Sequence, residues 1–276
     1  MSKQFLRSVL LLGLLCASSS AQLEERHSEE PFLNSCAYAG RKLLSVAPRE
    51  RDGQYLKEVP IWQLPVTQAF FFTTGMAIDA DGAPNAYHPD DTGIDELANA
   101  GWPGHWNGII TDRDGIPLLQ QEADPFPGYY ISCTSLADNT KQLSDPTRYV
   151  DATKIPYVAL PEEIAESGGA RLGDFAFVFN LHNGKSSFAT YADIGILGEG
   201  SVALAERLGI SPNARHGGES DGVLYMFFPG SGNMKPRTIG EIQSEGERLL
   251  SDLGGIETIS YCSEDRVGPT VSGGEF

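Results

Sequence analysis

Tyr191-Ala192-Asp193-Ile194-Gly195-Ile196-Leu197-Gly198-Glu199-Gly200-Ser201-Val202-Ala203-Leu204-Ala205 is the most informative stretch of this 276-residue chain. Residues 187–193 read as a strand that delivers Asp193 at its end. A glycine-punctuated loop follows, and Glu199 then stands just before a helix. Ser201 is a suitable N-cap for residues 202–208, and Gly209 supplies the stop. Short apolar runs between turn signals recur on both sides, over 67–80, 129–134, 149–151, 157–160, 175–180, 224–228 and 256–261, and each predicts a strand. A second helix starts at the capping box Thr238-Ile239-Gly240-Glu241 and runs to about Leu253, and a short one is expected over 36–45. With 31 Gly and 17 Pro, many short strands and few helices, the chain reads as one mainly β domain, closed or nearly closed into a barrel.

The first 21 residues have a basic start (Lys3, Arg7), an apolar run and small residues before Gln22, the layout of an export signal cut after Ala21. The expected divisions are a signal peptide over 1–21, an N-terminal segment over 22–54, a domain over 55–262 and a loose tail over 263–276. A secreted location, extracellular or periplasmic, follows. Beyond the leader remain Cys36, Cys133 and Cys262. Export permits one disulfide, and Cys36–Cys262 is the expected pair because domain termini often lie close in space. Cys133 is expected to be a small buried hydrophobe.

The chain has 37 Asp and Glu against 20 Lys and Arg, a net charge of −17. Without Lys3 and Arg7 it has 37 acids against 18 bases, or −19. Such a field repels nucleic acid phosphates and anionic lipid and favours cationic ligands. No Cys/His cluster has metal-site spacing. Asp79-Ala80-Asp81-Gly82 opens like a calcium loop but lacks a third ligand and the closing Glu. Neither a metal nor an organic cofactor is expected.

Two carboxyl groups near a turn suggest glycosidic chemistry, which needs one protonated and one ionised carboxyl. One extended strand would hold Asp193 and Glu199 roughly 20 Å apart. Glycosidases hold theirs about 5–9.5 Å apart, so the connection must fold back, as Gly195 and Gly198 permit. The helix that follows Glu199 favours its ionised form, so an acid role needs burial or the Asp193 charge to raise its pKa.

The same stretch resembles the active-site motif of the fungal-type chitosanases, glycoside hydrolase family 75. Gly75-Met76-Ala77-Ile78-Asp79-Ala80-Asp81-Gly82-Ala83 resembles the early acidic segment of that family, and segments around Tyr129 and Tyr149 to Pro161 resemble others in the expected order. The resemblance covers about residues 70–228. It implies endo-hydrolysis of β-1,4 bonds in chitosan with inversion, with Asp193 and Glu199 as the catalytic carboxylates. Glu199 is assigned as general acid and Asp193 as the base that activates water. The chain departs from the family in a shorter Asp-to-Glu loop and a longer insert between Pro84 and Pro127. The motif also resembles the second half of a double-psi β-barrel, shared by endoglucanases, expansins and wall-active transglycosylase-like proteins. The expected fold is therefore a double-psi-like barrel with a few peripheral helices.

Asp79 and Asp81 are expected to meet glucosamine ammonium groups, or to bond the backbone of their own turn. Tyr87, Trp102 and Trp106 are the aromatics expected in the substrate groove. The alternative for the tryptophans is packing, Trp106 in the core and Trp102 across its loop. His88 and Asp174 are expected to be structural. The expected protein is a monomer acting on a cationic amino-sugar polymer. The alternatives are an expansin-like protein that binds without cutting, and a hydrolase of peptidoglycan or β-glucan.

Overall fold

Aromatic and β-branched runs that alternate their faces become the strands of a barrel. The computed structural model describes residues 41–46, 50–51, 54–55, 58–64 and 67–255. Its strands are β1 (Arg41–Val46), β2 (Glu50–Arg51), β3 (Gln54–Tyr55), β4 (Val59–Gln63), β5 (Phe70–Asp79), β6 (Gly101–Trp102), β7 (His105–Trp106), β8 (Tyr157–Leu160), β9 (Phe175–Asn180), β10 (Ser186–Ile194), β11 (Glu199–Ser201) and β12 (Glu219–Phe228). The helices are α1 (Glu162–Gly168), α2 (Val202–Leu208) and α3 (Ile239–Asp252).

Six strands close in the order β5-β11-β8-β10-β9-β12, with β12 pairing back to β5. β4 and then β1 extend the sheet beyond β5. The chain skips a place twice: β5 and β8 flank β11, while β8 and β9 flank β10. The skipped places hold the parallel pairs β5–β11 and β8–β10. This is the double-psi-like, mainly β barrel with few helices that the sequence predicts.

Period-two alternation divides the core. Phe70, Phe72, Met76 and Ile78 of β5 join Val158, Leu160, Ala189, Tyr191, Tyr225 and Phe227 inside the barrel. Phe70 and Phe227 stack there with centroids 4.9 Å apart. Each such fully buried Phe contributes about 2–3 kcal/mol of transfer free energy. On the outside, Phe71, Phe175, Phe177, Phe188 and Met226 pack beneath Ile242 of α3. A second outer layer is the long connection between β5 and β8, which lays Ala83, Tyr87, Ile109, Leu136 and Val150 against Tyr157 and Ala192.

The helix of residues 202–208 is found with Ser201 as its cap. The helix begun at Thr238 has its capping box. Three local expectations are corrected. Residues 41–46 form β1 rather than the end of a helix, because they pair antiparallel with β4 on both sides of an irregularity between Lys42 and Leu44. Residues 129–134 and 149–151 form only isolated bridges, such as Leu119 to Tyr130 and Ala137 to Tyr149, within a connection too rich in Gly and Pro for continuous ladders. Helix α1, which the sequence reading omitted, opens on Pro161 with Glu162 and Glu163 in its first turn and closes on left-handed Gly169. The export signal, the Cys36–Cys262 pair, the strand over 256–261 and the tail lie outside the described residues. Among the described residues no helix is long and apolar enough to cross a membrane.

Candidate functional site

A one-residue irregularity in β10 makes the site. Tyr191 is opposite Val158 of β8, and the next register pair is Asp193 with Ala159, so Ala192 is the extra residue of a bulge. Tyr191 and Val158 face the barrel interior. Strict alternation would turn Asp193 inward with Tyr191. The bulge turns it to the outer face with Ala159 instead. Asp79, which follows the inward Ile78 at the end of β5, faces outward too. Its register partner is Ser201 of β11. Glu199 opens β11 opposite Ala159 on one side and Ala77 on the other.

Asp193 is 7% exposed and well anchored. Its Oδ1 accepts from Ser135 Oγ at 2.6 Å, Ile194 N at 2.8 Å and Ser135 N at 3.0 Å. Burial pushes its carboxyl up to about 6, while these donors favour the ionised form and oppose the rise. Asp79 is also buried and accepts from Asp81 N at 2.8 Å. Burial, and then the charges of Asp81, Glu199 and Asp193, hold its carboxyl well above the usual range. Asp81 is raised by burial and by Asp193, against a 2.6 Å hydrogen bond donated by Tyr87 Oη. Glu199 Oε2 accepts from Ile196 N at 2.8 Å. The loop passes so close beneath it that a Cβ on Gly195 would collide with Oε2.

One carboxylate oxygen from each of Asp79, Asp81 and Asp193 lies within 4.8 Å of the other two. Among the described residues this is the grouping dense enough to hold a cation. It supplies three oxygens, whereas calcium takes six to eight and magnesium six. The same closeness makes simultaneous ionisation costly, so the trio retains protons at pH values where isolated carboxyls have lost theirs.

The remaining predicted residues separate by depth. Tyr87 is 1% exposed and lies beneath Asp81, so it supports that carboxyl rather than offering a face to a sugar. Trp102 is 63% exposed on the β6–β7 hairpin, its ring tilted against His105. The hairpin rises next to Gly108, where a Cβ would stand 2.8 Å from Asp81 Oδ1. Trp106 is half-buried, its ring 6.4 Å from that of Tyr130. Asp174 is structural, accepting from Arg171, Gly230 and Gly232 N–H groups. His88 packs edge-on against Tyr129.

Sequence reasoning missed Ser135, Asp95 and Tyr157. Asp95 Oδ2 is 3.3 Å from Tyr87 Oη, and Tyr157 Oη donates to the Asp81 carbonyl at 2.9 Å. No local spacing marks them, since each reaches the acids from a distant segment. No protein-family model and no curated protein matches the chain.

The arrangement can hold one ionised carboxylate in fixed orientation beside groups that keep their protons. A second carboxyl stands across one strand.

Proposed function

We propose that this chain is an exported, monomeric glycoside hydrolase that cleaves β-1,4 bonds of chitosan with inversion. Glu199 protonates the leaving oxygen, and Asp193 takes a proton from the attacking water. The observation that carries this reading is the position of both residues opposite Ala159, one on each neighbouring strand. Two strand spacings separate their backbones by about 9.6 Å. A backbone spacing of that size is compatible with an inverting mechanism, whose carboxyl groups stand about 6.5–9.5 Å apart. Further support comes from Asp193, which ionises at about 6 and so is a base at near-neutral pH. The acidic chain suits a polyamine substrate. Asp79 and Asp81 border the same face as acceptors for ammonium groups.

The test is reducing-end release from chitosan by wild type, Glu199→Gln and Asp193→Asn, with the configuration of the new end read by NMR. Wild type is expected to release α ends, and each variant to lose at least about 100-fold. Equal rates in all three proteins would overturn the site. Binding without cleavage would favour the expansin-like reading, and cleavage of β-glucan or peptidoglycan alone would move the substrate.

A further inference from the structure

Ser135 lies in the long connection, 58 residues before Asp193, yet both of its donors meet one oxygen of that carboxylate. Its flanking residues are fixed. Thr134 Oγ1 donates to the Leu136 carbonyl at 2.8 Å and accepts from Val150 N at 3.0 Å. Leu136 N donates to the Ala192 carbonyl at 2.8 Å, which satisfies the backbone of the bulge residue itself. Thr134 and Leu136 are buried, whereas Ser135 between them is exposed. The hydroxyl is also oriented: its oxygen lies 3.3 Å from Ile194 N, which can donate to it, while its proton goes to Asp193 Oδ1. The bulge thus turns Asp193 outward, and the segment around Ser135 receives it there. Asp193 Oδ2 takes none of these three bonds.

We infer that Ser135 is a positioning residue for the reaction proposed above: it locks Oδ1 of Asp193 and thereby sets the direction in which Oδ2 meets water. The inference rests on that hydrolase reading for its catalytic part and on geometry alone for the orientation of Asp193. One charge-assisted hydrogen bond is worth about a factor of ten. Ser135→Ala removes the hydroxyl but keeps both backbone donors, and at an exposed position it leaves the fold intact.

The experiment compares wild type, Ser135→Ala and Ser135→Thr by crystal structure and by chitosan hydrolysis. In Ser135→Ala the Asp193 side chain is expected in more than one orientation. Its kcat is expected to fall about tenfold with KM unchanged, and Ser135→Thr is expected to come within about threefold of wild type. An Asp193 that keeps its single orientation in Ser135→Ala overturns the inference, whatever the activity. An Asp193 that turns while kcat stays at the wild-type value overturns it too, as does a Thr variant as impaired as Ala. If wild type cuts no polymer, the hydrolase reading fails by itself, and the catalytic part of the inference falls with it. The crystal structures still decide whether Ser135 sets the orientation of Asp193.

Discussion

Asp193 and Glu199 share one register partner, Ala159, from opposite sides. Strand β8 therefore spaces the two acids, and the loop between them only has to pass over the end of that strand. It does so under restraint: Gly195 N donates to the Leu160 carbonyl at 3.1 Å, and the Gly198 carbonyl accepts from Ala77 N at 2.8 Å. Gly198 has φ +79°, a left-handed conformation that favours glycine there. Ala159 is buried beneath this loop, and its small side chain lets Gly195 lie close over β8.

Gly195 is the sensitive point of that loop. A Cβ would stand 3.0 Å from Ala159 Cβ and would collide with Glu199 Oε2. Gly195→Ala is therefore expected to displace the Glu199 carboxyl by a fraction of an ångström to about 1 Å. A shift of that size costs roughly 100-fold in rate. Reducing-end release together with thermal unfolding checks this. The expected pattern is a large loss of kcat with the melting temperature changed by only a few degrees.

The pH dependence follows from the proposed role of Asp193 as base. A base must be ionised, and burial raises this carboxyl to about 6. As pH falls below that value Asp193 takes up its proton, and kcat/KM is expected to drop about tenfold per pH unit. The profile of wild type from pH 4 to 8 is the measurement. A rate that stays flat down to pH 4 contradicts Asp193 as the base.

The strands around this site were legible where burial forces a pattern. Phe70 to Asp79, Tyr157 to Leu160 and Phe175 to Asn180 all show it, and the helix capped by Ser201 is written in its own residues. Two acids of the site, Asp193 and Glu199, were legible as a pair, and Asp79 and Asp81 as a turn. Their meeting was not, because it depends on the Ala192 bulge and on the three-residue strand β11, neither of which has a compositional signal. Ser135 was invisible for the same reason. Its role exists only once residues 134–136 pair with the edge that the bulge disrupts.

Asp79 is expected to cost the protein stability. Its carboxyl is raised in the fold by burial and by its acidic neighbours, whereas in the unfolded chain it returns to about 3.9. The protonated form is thus favoured by the fold. The stability linked to it is fully present below about pH 4 and is lost as pH rises through the folded value. Asp79→Asn keeps an oxygen to accept from Asp81 N while removing the titratable carboxyl. At pH 7 it should gain about 1–2 kcal/mol, a rise of a few degrees in melting temperature. Below pH 4 the gain should vanish. Thermal melts at the two pH values separate this from a general packing effect, which would persist at both.

The two tryptophans of the β6–β7 hairpin should divide binding from stability. Trp102 is mostly exposed and sits on a hairpin whose base adjoins Asp81, so its ring is available to a sugar without being needed by the core. Stacking of a ring on an aromatic face is worth about 0.5–1.5 kcal/mol. Trp102→Ala is expected to raise KM for polymeric chitosan about three- to tenfold with kcat unchanged and no shift in melting temperature. Oligomers too short to reach the hairpin from the acids should show little change in KM. Trp106 packs on Tyr130, so Trp106→Ala should instead lower stability by about 2–3 kcal/mol. Kinetics on polymer and short oligomer, run with thermal melts of both variants, distinguish the roles. An unchanged KM for polymer in Trp102→Ala would exclude the hairpin from substrate binding.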